Sequence, residues 1–168
     1  MFLLIDRLVR RVLGDADARQ RAVEDLDLIS SGTGRRLDHV VGVTRRVFGT
    51  EIAWFTVVDD DRLVHIARAG TNLIELPLAD SFSSIAIGYR EGMVIPDARQ
   101  DPRFLTNPLV VGSERIRFYA GYPVESPGGE RVGMLCALDR EPRVAEDVDL
   151  SLLREMAHLV EQQLWPAR

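Results

Sequence analysis

The segment RFYAGYPVESPGGERVGMLCALD, residues 117–139, decides the fold class. Two apolar runs flank Ser126-Pro127-Gly128-Gly129. Proline presets a turn dihedral and glycine accepts positive φ, so the segment predicts an antiparallel hairpin, placed here as the two central strands of a sheet. Small residues, Ala120 and Gly121 on one strand and Gly133, Cys136 and Ala137 on the other, sit between bulky ones. Such residues forgo packing and mark places where something approaches the backbone closely, either another piece of the chain or a ligand.

Working outward, residues 51–58 (EIAWFTVV) and 62–68 predict a second hairpin turning at Asp59-Asp60-Asp61, and 73–78 an edge strand that tolerates Pro77. Before it, Leu37, Val40, Val41, Thr44, Val47 and Phe48 share one helical face and Gly49 suits the stop. A helix after Asp15 or Asp17 carries Val23, Leu26 and Ile29. Between the hairpins, Ser81 is placed as the cap of a short helix reaching Tyr89, Met93 to Ile95 as a brief strand, and 97–112 as a structured crossover. A final helix carries the stripe Val148, Leu152, Leu153, Met156, Leu159, Val160 and Leu164. The order predicts an α+β fold: an antiparallel sheet of five to six strands, terminal helices on one face, and a crossover covering a pocket on the other.

At the N-terminus, residues 1–14 read as an amphipathic helix whose apolar stripe is Phe2, Ile5, Val9 and Val12, with Gly14 as its stop. That stripe either folds back on the domain or pairs with a second copy, and a helical homodimer is the preferred expectation. Residues 15–165 are read as one domain, which 168 residues accommodate.

Composition narrows the function. A net charge of −5 gives no electrostatic footprint for nucleic acid. A lone cysteine fits a reducing cytoplasm, and no apolar run reaches membrane-spanning length. Nucleotide-cradling glycine loops, hydrolase elbows and His or Cys ligand spacings are absent from the sequence, so no metal is expected and no catalytic residue is named. Cys136 reads as a small buried strand residue rather than a redox thiol, because no basic neighbour in sequence would stabilise its thiolate.

Several motifs in order then resemble a known family: Arg35-Arg36-Leu37-Asp38 through Phe48-Gly49, Val57-Val58-Asp59, Pro96-Asp97-Ala98-Arg99, Asp101-Pro102-Arg103-Phe104, Asn107-Pro108-Leu109-Val110, Ile116 to Val124, and Gly133 to Asp139. This arrangement is similar to bacterial GAF sensory domains of the branch found beside kinase and cyclase modules. The resemblance implies the same fold, a pocket roofed by the crossover, and regulatory rather than catalytic work with output to a downstream signalling protein. Where that branch often shows Ser-Phe-Cys and then a His, this chain reads Ser81-Phe82-Ser83-Ser84-Ile85, which argues against a covalent bilin, a haem or a redox thiol there.

Two readings stay open: a sensor that binds an unidentified small molecule under the crossover, and a dimerisation or protein-interaction module whose pocket is collapsed. The pocket candidates are Phe82, Ser83, Ser84, Asp97, Arg103, Phe104, Arg117 and Tyr119. Converging arginines would hold an anion. The alternative is that Arg99, Arg103, Arg115 and Arg117 pair with Asp97, Asp101 and Glu114 and pin the crossover. Strand alternation places Trp54 and Phe55, and likewise Phe118 and Tyr119, on opposite faces.

Overall fold

Helix-spaced apolar residues and two β-rich hairpins come together in a computed structural model that describes residues 16–28 and 33–167. The expected dimer stripe, Phe2, Ile5, Val9 and Val12, lies outside the described residues, as does Ile29. The elements run α1 (Ala16–Leu26), α2 (Gly34–Phe48), β1 (Ile52–Asp59), β2 (Arg62–Ala69), β3 (Glu75–Pro77), α3 (Ser83–Ala86), β4 (Met93–Ile95), α4 (Pro108–Val111), β5 (Phe118–Glu125), β6 (Arg131–Asp139) and α5 (Leu150–Leu164). The six strands form one antiparallel sheet in the order β3-β2-β1-β6-β5-β4. The central pair is therefore β1 and β6. The β5–β6 hairpin does form, but β5 lies one place off centre because the short strand β4 adds to its outer side.

Helix α2 follows from its sequence. Leu37, Val40, Val41 and Thr44 are buried at i, i+3, i+4 and i+7, and the Thr44 hydroxyl donates to the Val40 carbonyl at 2.8 Å. Gly49 takes the left-handed conformation at φ 62° and its N–H closes on the Arg45 and Arg46 carbonyls. Val47, expected on the buried face, is half exposed because it lies past the edge of that stripe. At the other end of the chain, Asp149 caps α5 by accepting from the Leu152 N–H at 3.1 Å, and Leu153, Met156, Ala157, Val160 and Leu164 are buried, while Leu159 faces outward.

Helices α1, α2 and α5 all cover one face of the sheet, against Phe55, Val57, Phe118, Val124 and Leu135. The crossover, from β3 to the start of β5, covers the other face, against Trp54, Leu63, Tyr119, Met134 and Cys136. Each face therefore carries its own apolar core.

Candidate functional site

The crossover face holds the residues singled out in the sequence. Ser81 places α3: its hydroxyl oxygen accepts from the Ser84 N–H at 3.0 Å, although the helix ends at Ala86 rather than near Tyr89. This geometry turns Phe82 and Ser83 down onto β5 and β6. The Phe82 ring lies 4.9 Å from Phe104 and 5.1 Å from Tyr119, centroid to centroid. The Tyr119 hydroxyl reaches Cys136 Sγ at 3.3 Å and Ser83 Oγ at 3.4 Å. Phe82, Ser83, Ser84, Phe104, Tyr119 and Cys136 are all buried.

The small residue Gly121 now has an explanation. A Cβ at this position would overlap the Tyr119 phenol, so the strand is narrowed there to seat a side chain of the chain itself. Gly133 plays the matching role for backbone, since a Cβ there would overlap the Thr56 carbonyl of β1. Burial keeps both polar tips neutral: it pushes the Tyr119 phenol well above its usual range and the Cys136 thiol up to about 12, although hydrogen bonds from Tyr119 and Ser83 partly offset the latter. A thiol held that high is not a nucleophile at neutral pH.

The charged candidates are elsewhere. Asp97 caps the turn 98–100 and forms an ion pair with Arg99 at 2.7 Å, which holds its carboxyl below the usual range. Arg103 grips Asp101 through both Nε and Nη2, at 3.0 and 2.7 Å, and its guanidinium rests 5.3 Å from the Phe104 ring centroid, on the outside of the crossover. Arg117 Nη1 donates to the Val110 and Ile116 carbonyls at 2.9 and 3.2 Å. Asp97, Arg103 and Arg117 thus pin the crossover from outside instead of joining Phe82 and Tyr119 in its interior. Glu114 pairs with Arg140 at 3.2 Å rather than with a crossover arginine.

The most unusual chemistry of this face was not singled out in the sequence. His65 and Trp54, on neighbouring strands, stack at 4.1 Å between ring centroids with 24° between planes, and both are almost fully buried. Neither His65 nitrogen has a hydrogen-bond partner among the described residues. Nor does the Trp54 indole N–H, which faces the Cys136 thiol without forming a geometrically sound bond to it. Burial, aided by the like charge of Arg68, lowers the His65 imidazole to about 3, so the ring is neutral. Unpartnered buried donors and acceptors are uncommon in folded proteins, and each calls for a cause such as water or a ligand. The signal in sequence was a histidine two residues after Leu63, on the crossover side of β2, just before a bulge that returns Ala67 to the helix side.

A family model described as GAF domain matches residues 33–164. The chain belongs to the GAF family. It is 37% identical over 148 residues to the cyclic di-GMP phosphodiesterase PA2567 of Pseudomonas aeruginosa, an alignment that takes in 87% of this chain. The GAF chain spans about a quarter of that relative's length. Among solved structures it is similar to the GAF domain of an Acinetobacter phosphoenolpyruvate-protein phosphotransferase, with a TM-score of 0.62 at 17% identity, covering 88% of this chain and 90% of that one. It is also similar to the free methionine-R-sulfoxide reductase of Neisseria meningitidis in complex with its substrate, with a TM-score of 0.64 at 20% identity, covering 82% and 81%. At these identities the two structures establish a shared fold. GAF domains are a sensory and regulatory family, and no helix among the described residues is long and apolar enough to cross a membrane.

Proposed function

We propose that this GAF domain is a non-catalytic regulatory module that binds a small, planar, hydrogen-bonding molecule in the space now held by Tyr119 and Phe82. The observation that carries this reading is the Trp54–His65 stack with three unpartnered buried nitrogens beside that space. A ligand offering two acceptors and one donor would satisfy the Trp54 N–H, the His65 N–H and the second His65 nitrogen that the closed interior leaves bare. Binding would shift the population of open and closed forms by the difference in affinity between them. Helices α1 and α5, packed on the far face of the same strands, are the route to a downstream partner or to a second copy of the chain. Cys136, held at about 12 and fully buried, supplies no nucleophile to the interior, which supports the non-catalytic assignment. The resemblance to part of a phosphodiesterase fits regulation of such an enzyme in a bacterial cytoplasm.

A second reading has its own support. The interlocked packing of Phe82, Phe104 and Tyr119 is that of a filled core, which suits an interaction module whose pocket is permanently collapsed. Native mass spectrometry of the protein purified from a bacterial host separates the two. A bound small mass, released on denaturation and lost in His65→Leu, is the expected result. Wild-type protein that stays empty through a metabolite-extract titration favours the interaction module.

A further inference from the structure

We propose that the arginine-lined surface where the crossover returns into the sheet docks an acidic segment of a partner protein, one with apolar side chains between its carboxylates. This inference goes beyond the small-molecule reading and is independent of it. Two adjoining clefts, of about 490 Å³ and about 430 Å³, share Arg99, Arg115 and Arg117. Leu105, Val110 and Val111 complete the first, and Arg140 and Glu141 help to line the second. Four guanidinium groups thus gather in one place on a chain whose net charge is −5.

Not all of these charges are used internally. Arg99 is held by Asp97, and Arg140 bridges Glu51 at 2.6 Å and Glu114 at 3.2 Å. Arg117 helps Arg99 to hold Asp97 ionised through space but commits only Nη1 to hydrogen bonds, with carbonyl groups, which leaves Nε and Nη2 without hydrogen bonds among the described residues. Arg115 is exposed and has no ion pair or hydrogen bond among the described residues. Its backbone sits at φ 52°, in the left-handed region, which costs a non-glycine residue roughly 1 kcal/mol. A purely structural turn favours glycine or asparagine at such a position, so an arginine there, unpaired and aimed outward between two clefts, is a local rule broken at a surface. Beside it, Leu105 and Val111 are 52% and 66% exposed.

The mixture selects the occupant. Guanidinium forks at Arg115 and Arg117 match spaced carboxylates, and Leu105 and Val111 match apolar side chains between them. None of the lining residues is aromatic, so a nucleotide base has nothing to stack on. Glu51 and Glu141 line the same surface and would face the headgroups of an anionic bilayer. A protein segment can place its charges between these carboxylates.

The test is a selection of random 12-residue displayed peptides on the immobilised wild-type protein, with the selected peptides remeasured by fluorescence anisotropy. The expected consensus has Asp or Glu interleaved with Leu, Ile, Val or Phe. Affinity should weaken with salt and fall roughly tenfold to a hundredfold in Arg115→Gly and in Arg117→Gln, as loss of a charge-assisted hydrogen bond predicts. Glycine accepts φ 52°, so Arg115→Gly should melt at or above the wild-type temperature, which separates lost binding from lost folding. The proposal is overturned if no acidic consensus emerges, or if consensus peptides bind Arg115→Gly as tightly as wild type. It is also overturned if the Arg115-dependent binding goes instead to vesicles of phosphatidylcholine and phosphatidylglycerol. Arg115→Gly should leave any small-molecule adduct seen by native mass spectrometry in place, so failure of this proposal and failure of the ligand reading are separate results.

Discussion

On the helix side of the sheet, Phe55, Phe118 and Leu135 meet Leu37, Val41, Leu153 and Val160, and the contact is hydrocarbon on hydrocarbon. One residue along the same strands, on the crossover side, Trp54, Tyr119 and Cys136 meet Phe82, Ser83 and Phe104, and a neutral histidine is buried among them. Among the described residues, three buried side-chain nitrogens without partners lie on the crossover side, in Trp54 and His65, whereas the helix side has only Arg143 Nε, at its rim over the Phe118 ring. Hydrocarbon packing is non-directional and tolerant, whereas an unbonded nitrogen in a dry interior costs about 1–3 kcal/mol and has a use only if something comes to meet it. Under the sensor reading proposed above, the helix face carries the stability of the sheet and the crossover face is the one a ligand would enter.

The largest expected effect tests the helix face. Phe55→Ala should lower the unfolding free energy by about 3–5 kcal/mol in urea denaturation, because the removed ring leaves a cavity in tight packing. A loss under about 1 kcal/mol would show that the hydrocarbon face is not where stability resides. The next effect belongs to the crossover face and to pH. The folded His65 titrates near 3 and an unfolded histidine near 6.5, so between those values the unfolded chain binds a proton that the folded one refuses. Stability should therefore be full above pH 6.5 and fall as pH drops, by about 1.4 kcal/mol per pH unit, or about 2 kcal/mol by pH 5. Asp59, Asp97 and Asp101, all lowered by arginine or amide partners, add their own loss only at more acid pH. In His65→Leu the fall between pH 6.5 and 5 should shrink markedly, and a profile like that of the wild type would place the titration elsewhere.

The smallest effect is the sharpest contrast with Phe55. At neutral pH, His65→Leu should lower stability by no more than about 1 kcal/mol, since it removes two unbonded nitrogens and loses only the stack on Trp54. A loss above about 2 kcal/mol would mean that its nitrogens are bonded after all.

Much of the fold was legible because period and punctuation agreed. Gly49 ended α2, Ser126 to Gly129 turned the β5–β6 hairpin, and alternation divided Trp54 from Phe55 and Phe118 from Tyr119. The strand order was not legible, because pairing of β1 with β6 joins residues some eighty positions apart and no local pattern encodes it. At the site, Phe82, Ser83, Phe104 and Tyr119 do come together, while Ser84 is buried but bonds back to Ser81. Asp97, Arg103 and Arg117 do not, because Asp97 and Arg103 find opposite charges two residues away and Arg117 finds carbonyls within seven residues, closer than any interior partner. The Trp54–His65 stack was missed because neither residue is unusual alone. Its meaning arises from adjacent strands and from the absence of partners.

The sensor reading requires the crossover side to open on its own while the helix side stays folded, and Cys136, the chain's single cysteine, lies at the floor of that side. The direct measurement is the rate of Cys136 labelling by a small neutral thiol reagent across low urea concentrations, converted to an opening free energy and compared with global unfolding. The expected result is an opening free energy several-fold smaller than the global value and nearly independent of urea, the signature of a local movement of Tyr119 and Phe82. Labelling that tracks global unfolding in both magnitude and urea dependence would show that the interior is a permanent core and would contradict the sensor reading.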